Sequence, residues 1–356
     1  MILQSIALEN FRNYSHSEFS FSPEVNILCG ENGKGKTNLL EAIWLFTGVR
    51  SWRTAKRSEL IRWEQQKASC RASVLAHERD YTLQYEIPFA GRTQVTVNGI
   101  RKQKQLELSD YLRCVLFSPE DLALVKGAPG ERRAFLDSAI CQLRPRYGEL
   151  ISRYECLLQN KSKLLRGEIF SLDLLGVFNA QLAVLGAQII GYRAKFCRGL
   201  EEEAGKIHFS LSGEKERMEL CYETVSAVTD PFAPAETVRG QLEAHLKDHL
   251  AAEQESKSCL SGVHRDDLLI CINGKPARAF ASQGQARSAA LALKFAQRAL
   301  FYRDTGEYPL LLLDDVLSEL DGARQRFVAG HTLGGQTIIT CCEDKTGFSG
   351  AVRMLL

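Results

Sequence analysis

Apolar and polar positions alternate from Ile2 to Leu8. After a turn at Asn10-Phe11-Arg12-Asn13-Tyr14 the apolar pattern returns from Phe19 to Leu28, past Pro23. This predicts strand, turn, strand. The apolar run Val25 to Cys29 then leads through Gly30-Glu31-Asn32-Gly33-Lys34-Gly35-Lys36-Thr37 into a helical pattern from Asn38 to Phe46. Residues 68–76, 81–87 and 93–98 give three more strand patterns, with Asn98-Gly99 as a hairpin turn, and together predict an antiparallel sheet beside the core.

Further along, Cys114 to Phe117 reads as an apolar strand broken by Ser118-Pro119-Glu120-Asp121, which can cap the next helix. The pattern is then helical to about residue 209, interrupted at Pro145 and Gly167. A strand follows over 216–226, a surface crossing at Pro231 and Pro234, and a helix from Ala235 to Ser258. Asp266 to Ile272 is a predicted strand, Asn273-Gly274 a turn and Gln283 to Arg303 a helix rich in Ala and Leu. Tyr308 to Leu313 forms a short apolar strand ending in Asp314-Asp315, followed by a helix through about Ala329 and a strand from Gln336 to Cys341. Strands with intervening helices place an α/β core at this end.

The 356 residues, 45% of them hydrophobic, suffice for one large domain or two or three smaller ones. A formal charge of +2 with 25% charged residues does not by itself announce a nucleic-acid partner. Eleven cysteines form no Cys-x-x-Cys pair, and several, including Cys29, Cys271, Cys341 and Cys342, lie in strand-like apolar runs, so a reducing cytoplasm is the simpler account. No basic leader with an apolar core opens the chain. The most apolar helical stretch, Leu182 to Tyr192, is too short for a span and holds two glycines, so no membrane partner is expected.

Strand, glycine-rich turn and helix together predict a phosphate-binding loop. Gly30, Gly33 and Gly35 let backbone N–H groups, with those of Asn32 and Asn38 nearby, turn toward phosphate oxygens at the start of a helix. Lys36 would reach the β- and γ-phosphates of ATP, and Thr37 would hold Mg2+. An apolar strand ending in acidic residues is what such a site needs opposite the loop: Asp314 for the metal, Asp315 to orient or deprotonate water. Because these residues lie nearly 280 positions apart, the two ends of the chain must fold together around inserted material. The expected division is residues 1–120 as the first part of an ATPase domain, 121–259 as a helical inserted arm, and 260–356 as its completion. A second anion site is possible at Ser282-Gln283-Gly284-Gln285, where Ser282 can cap the following helix and Gly284 permits close approach.

Positive charge gathers in three places: Arg50, Arg53, Lys56 and Arg57; Arg101, Lys102 and Lys104; and residues 120–166, with nine Lys or Arg against six Asp or Glu. Each is either a solvated surface or a contact to a polynucleotide backbone, with Arg153, Lys161 and Lys163 as arm candidates.

These motifs resemble the ATPase heads of the ABC superfamily, in particular the SMC and Rad50 type and its bacterial recombination-repair branch. The resemblance is carried by Leu8 to Tyr14, the phosphate loop, and Phe117 to Leu122 with Lys126-Gly127. It continues through Arg132-Arg133 with Phe135-Leu136-Asp137, Gly262 with His264 to Leu268, Ser282 to Gln285, and Leu313 to Asp321. It implies an α/β ABC ATPase head with a P-loop core, an antiparallel sheet lobe and a helical arm. It further implies that Ser282, Gly284 and Gln285 act as a signature motif on the ATP of an opposing subunit, giving an ATP-dependent homodimer. Ser318 to Asp321 would be a D-loop at that interface, and Arg12 and Asn13 would lie near the nucleotide. Residues 118–121 fall where lobe-coupling contacts are expected but carry no Gln. Asp315 stands where many members have Glu, and Thr340 where transporter members have His, which implies a weak, DNA-stimulated ATPase. His264 is either close to the phosphates or a structural hydrogen-bonding group.

The implied activity is ATP-dependent binding of double-stranded, gapped or junction DNA, with recombination-mediator proteins as partners and release after hydrolysis. Two other readings remain: an ATP-gated structural or protein-interaction module with incidental DNA contact, and a transporter ATPase subunit. The inserted helices and the missing His weigh against the second.

Overall fold

In a computed structural model, which describes residues 1–167, 171–317, 320–332, 334–342 and 350–356, β1 (Ile2–Phe11) and β2 (Tyr14–Ser20) form the opening hairpin. Next, β3 (Val25–Cys29) runs through the glycine-rich loop into α1 (Lys36–Leu45). The strands β4 (Lys67–Ala76), β5 (Arg79–Pro88), β6 (Gln94–Val97) and β7 (Ile100–Lys102) follow. His77-Glu78 joins β4 to β5 and Asn98-Gly99 joins β6 to β7. All four residues have positive φ (49°, 59°, 49° and 77°), the geometry whose twist suits a two-residue hairpin.

Beyond β8 (Cys114–Phe117) and a short turn of helix at Pro119–Leu122, the chain becomes helical. It forms α2 (Ala123–Lys126), α3 (Pro129–Leu143), α4 (Pro145–Arg166) and α5 (Leu172–Leu211). Pro129 and Pro145 each open a helix, where the missing N–H costs no hydrogen bond. Then come β9 (Met218–Glu223), α6 (Ala235–Asp248), α7 (Leu250–Ser256), β10 (Asp267–Ile272), β11 (Lys275–Pro276) and α8 (Ala277–Phe280). The last elements are α9 (Gln283–Thr305), β12 (Leu310–Asp314), α10 (Gly322–His331), β13 (Thr337–Cys341) and β14 (Val352–Leu355).

The chain divides into two compact units. The first comprises Met1–Leu122, Lys206–Lys215 and Gln283–Leu356. It holds a parallel sheet in the order β14-β3-β13-β12-β8 and an antiparallel sheet in the order β2-β1-β4-β5-β6-β7. Every residue of β8, β12 and β13 is buried, as expected of parallel strands covered on both faces. Strand β4 instead alternates, burying Ala68, Cys70, Ala72, Val74 and Ala76. One apolar core joins the two sheets through α1, with Leu3, Ile6, Leu39, Ile43, Phe46, Leu310 and Ile338 among its members.

The second unit comprises Ala123–Gly205 and Glu216–Ser282. Besides helices it contains the sheet β11-β10-β9. The division at residue 260 expected from sequence is thereby corrected: residues 260–282 belong here, because β10 pairs with β9 over six residues from Asp267 to Ile272. The predicted helix Ala235 to Ser258 is two helices that meet at His249.

The sequence reading of Leu182 to Tyr192 as too short for a span also needs correction. That stretch lies within the 40-residue α5, which has an 18-residue window of mean hydropathy 1.6 and passes for a membrane span by length and composition, with 44% of the window buried. Arg193 at its middle marks it as a core helix. The guanidinium is 3% exposed and meets Asp137 of α3 at 2.9 Å and Asp266 at 2.7 Å, and it also donates to the Val263 carbonyl. Tyr222 and Thr224 add hydroxyl donors to the Asp266 carboxylate. Nearby, His264 lies between the Tyr154 hydroxyl and the Cys259 carbonyl, and burial lowers its pKa to about 4, so it is a neutral structural group.

Replacing Arg193 by Leu would strand the buried carboxylate of Asp266 and the half-buried one of Asp137. The expected cost is about 3–5 kcal/mol of folding stability, read from denaturant melts; a loss below about 1 kcal/mol would show that the carboxylates find other partners or take up protons at little cost.

Candidate nucleotide site

The phosphate loop adopts a conformation that only glycine accommodates at its critical points. Gly33 and Gly35 have φ of 84° and 107°. A Cβ on Gly35 would lie 2.6 Å from the Asn13 amide and 2.9 Å from the Tyr14 hydroxyl, and one on Gly30 would lie 2.8 Å from the Leu356 carbonyl. Gly35 is also the N-cap of α1. It supplies no side-chain acceptor, and the first turn carries no acid, so the helix presents uncapped N–H donors and the positive end of its dipole. Lys36 is 7% exposed, and its ammonium donates to the carbonyls of Gly30 at 2.5 Å and Glu31 at 3.0 Å. A buried cation held by main-chain oxygens, beside the uncapped start of a helix, fits a triphosphate.

Across the loop, the Thr37 hydroxyl donates to Asp314 Oδ1 at 3.0 Å, joining residues 277 positions apart. Two hard oxygen ligands therefore meet where the β- and γ-phosphates would lie. Among the described residues no group of three or more His, Cys, Asp or Glu could hold a metal ion. A hydroxyl and one carboxylate are donors that Mg2+ accepts beside phosphate and water. Burial raises the Asp314 pKa, partly offset by hydrogen bonds from Thr340 and Thr37; Glu120 and Asp315 raise it further. Placing a divalent cation there would favour the carboxylate. Asp315 follows with φ of 49°.

Behind the loop stands a residue that sequence reasoning passed over. Glu41 is fully buried in α1, and its carboxylate accepts from Arg12 at 2.8 and 2.9 Å, Arg53 at 3.1 Å and Ser51 at 2.5 Å. A single acid within Leu39-Leu40-Glu41-Ala42-Ile43 was the available signal. Arg12 and Arg53 thus brace α1. Asn13 donates to the Lys34 carbonyl and accepts from Asn38, Asn38 accepts from Arg53, and Tyr14 donates to the Gly35 carbonyl. The turn before β2, Tyr14 of β2 and the segment after α1 therefore brace the loop and its helix.

In the signature-like stretch, Gln283 opens α9 directly after Ser282. Ser282 is exposed, while Gly284 and Gln285 are half-buried. Arg324 ties this segment to the turn before α10, donating to the Gly284 carbonyl at 2.9 Å and Ser288 at 3.0 Å while pairing with Asp321. Asp321 also caps α10 by accepting from the Arg324 backbone N–H at 2.9 Å. Of the predicted D-loop, Ser318 and Glu319 lie outside the described residues. At 118–121, Asp121 accepts from the Ser118 N–H and pairs with Lys294 of α9 at 2.7 Å.

The basic candidates are scattered. Arg50, Lys56 and Arg57 are exposed, with Lys56 near Glu59 and Arg57 donating to Thr93. Arg101 and Lys102 lie on β7 at the edge of the antiparallel sheet, Lys102 over the Tyr111 ring, and Lys104 is exposed just beyond. Arg153 and Lys163 are exposed on α4. Lys161 is not available as a surface contact: it is fully buried and paired with buried Glu253 at 2.6 Å, because its position on α4 faces α7.

The model of the RecF/RecN/SMC N-terminal domain matches residues 2–352. The DNA replication and repair protein RecF of Clostridium acetobutylicum is 38% identical, covering 96% of this chain and 93% of that protein. RecF of Bacillus subtilis is also 38% identical, covering 96% and 93%. That of Limosilactobacillus fermentum is 40% identical, covering 100% and 95%. Among solved structures, the recombination mediator protein RecF-ATPrS in the RecFOR pathway superposes with a TM-score of 0.92 at 32% identity, covering 99% of this chain and 95% of that one. RecF-ATP of the same pathway gives 0.89 at 34%, covering 97% and 92%. An Smc head bound to the C-terminal winged-helix domain of ScpA, at 18% identity and a TM-score of 0.53, covering 97% and 90%, shares the fold. With the ABC-type ATPase head, the phosphate loop and this similarity over nearly its whole length, the chain belongs to the RecF family.

Proposed function

We propose that this chain is an ATP-dependent DNA-binding protein of replication and recombinational repair, which pairs with a second copy on binding ATP and separates after slow hydrolysis. The observation that carries the reading is the meeting of Thr37 and Asp314 at 3.0 Å beside a preformed phosphate loop. ATP in the names of the similar solved structures supports the nucleotide, and the names of the curated relatives support the role in replication and repair.

The protein's own groups divide the work. The loop N–H groups and Lys36 would bind the phosphates, the latter exchanging its two carbonyl partners for phosphate oxygens. Thr37 and Asp314 would hold Mg2+, which when bound offsets phosphate charge. Asp315 would orient the attacking water. Its carboxylate reaches less far than that of Glu, consistent with slow turnover used as a release signal. Ser282, Gly284 and Gln285, with Asp321 steadied by Arg324, would complete the site of a second copy.

Backbone phosphates of double-stranded, gapped or junction DNA would meet exposed cations such as Arg153, Lys163, Arg101 and Lys104, giving salt-sensitive binding with little base readout. Recombination-mediator proteins would be partners in loading recombinase, a role in keeping with the pathway named for the similar structures.

Lys36→Ala is expected to abolish measurable ATP turnover and weaken nucleotide binding by at least about tenfold, since a phosphate charge is left unmatched; wild-type affinity by fluorescence titration would remove Lys36 from the site. Asp315→Asn should retain ATP binding, slow hydrolysis by about a hundredfold or more, and prolong the paired state. An unchanged rate would reject Asp315 as the water-orienting group. Light scattering after gel filtration, with and without ATP and a gapped duplex, should show pairing of the wild type but not of Ser282→Arg. A wild type that stays monomeric at saturating ATP and Mg2+ would overturn the pairing.

A further inference from the structure

Thr340 lies on β13 directly beside Asp314 of β12, its partner in the parallel ladder. Its side chain is fully buried, and its hydroxyl makes two contacts of opposite sense. It donates to Asp314 Oδ1 at 2.7 Å and accepts from the Asp315 backbone N–H at 2.9 Å. A hydroxyl is among the few small groups that can both donate and accept from a single atom; the isosteric isopropyl group of valine can do neither. The Leu313 carbonyl at 3.5 Å is too distant to compete for the proton.

These contacts bear on both acidic residues at once. Asp314 Oδ1 also accepts from Thr37. Thr37 would offer a lone pair to a cation while its O–H and that of Thr340 both fix the carboxylate. Asp315 leaves the strand with φ of 49°, a conformation that non-glycine residues occupy at a cost and keep only when their surroundings impose it. The bond from its N–H to Thr340 is such an imposition.

We infer that Thr340 is a positioning residue for ATP hydrolysis: its hydroxyl aims Asp314 at the metal-bearing side of the phosphate loop and holds the main chain of Asp315 so that its carboxylate faces the nucleotide. The inference rests on the ATPase reading given above. It assigns to one side chain the coupling between metal binding and water orientation. Thr340 acts through the two acids that its hydroxyl contacts.

The test compares Thr340→Val with Thr340→Ser in the full-length protein. Four quantities are read: kcat and KM for ATP, the Mg2+ concentration giving half-maximal tightening of a fluorescent nucleotide analogue, and analogue affinity without Mg2+. Thr340→Val should lower kcat by about tenfold and raise the Mg2+ midpoint several-fold, leaving metal-free affinity unchanged. Thr340→Ser should restore both to within about twofold of wild type. If the valine variant melts too early to assay, Thr340→Cys, a much weaker donor and acceptor, takes its place with the same expected directions. The inference is overturned if the variant lacking the hydroxyl keeps the wild-type midpoint and turnover, or if serine is as impaired as valine, which would assign the effect to methyl packing. A wild type without any hydrolysis would instead refute the ATPase reading, and the Mg2+ midpoint would still decide the role of Thr340.

Discussion

The site depends on the carboxyl ends of parallel strands lying along one edge of a sheet. In the ladder, Leu28 pairs with Thr340, Thr340 with Asp314, and Leu313 with Phe117. Parallel register forces whatever follows each strand to emerge on the same side. The phosphate loop after β3, Asp314 and Asp315 at the end of β12, Thr340 near the end of β13, and Ser118 after β8 are neighbours for that reason, although they come from residues 28 to 340 of the chain. The 3.0 Å contact between Thr37 and Asp314 and the 2.7 Å contact between Thr340 and Asp314 both follow from this constraint.

Preorganisation is the second feature. A glycine-rich loop gains its freedom from missing side chains, and the same freedom would let it collapse when no phosphate is present. Here the amide of Asn13, the hydroxyl of Tyr14 and the main chain of Leu356 occupy the space that side chains on Gly35 and Gly30 would need. Glu41 gathers Arg12, Arg53 and Ser51 beneath α1. The loop is thus shaped by its surroundings before any nucleotide arrives, which lowers the ordering cost of binding.

The second unit follows different physics. Its centre is a buried ionic cluster in which Arg193 meets Asp137 and Asp266, with Tyr147, Tyr222 and Thr224 completing the hydrogen bonding. Such a cluster adds little net stability over an apolar core of equal volume, but breaking it is costly. Other charges of the arm stretch are likewise paired inside rather than facing solvent: Arg132 with Asp267 and Lys161 with Glu253.

The sequence by itself determined the local pieces: the strand, turn and helix of the phosphate loop, the acidic end of the penultimate apolar run, the Asn-Gly hairpins, and the helix breaks near Pro145 and Gly167. Each rests on backbone preference or on a period of two or 3.6, which a short window carries in full. Tertiary structure alone decided the rest. The pairing of β10 with β9 drew residues 260–282 into the helical unit, and β14 came to flank β3 without any pattern that announced it. Burial turned Lys161 from a candidate contact into half of an ion pair, and strand register placed the hydroxyl of Thr340 between two acids. Such outcomes depend on which distant atoms share a low-dielectric interior or adjacent rungs of a sheet, and no local window of residues holds that information.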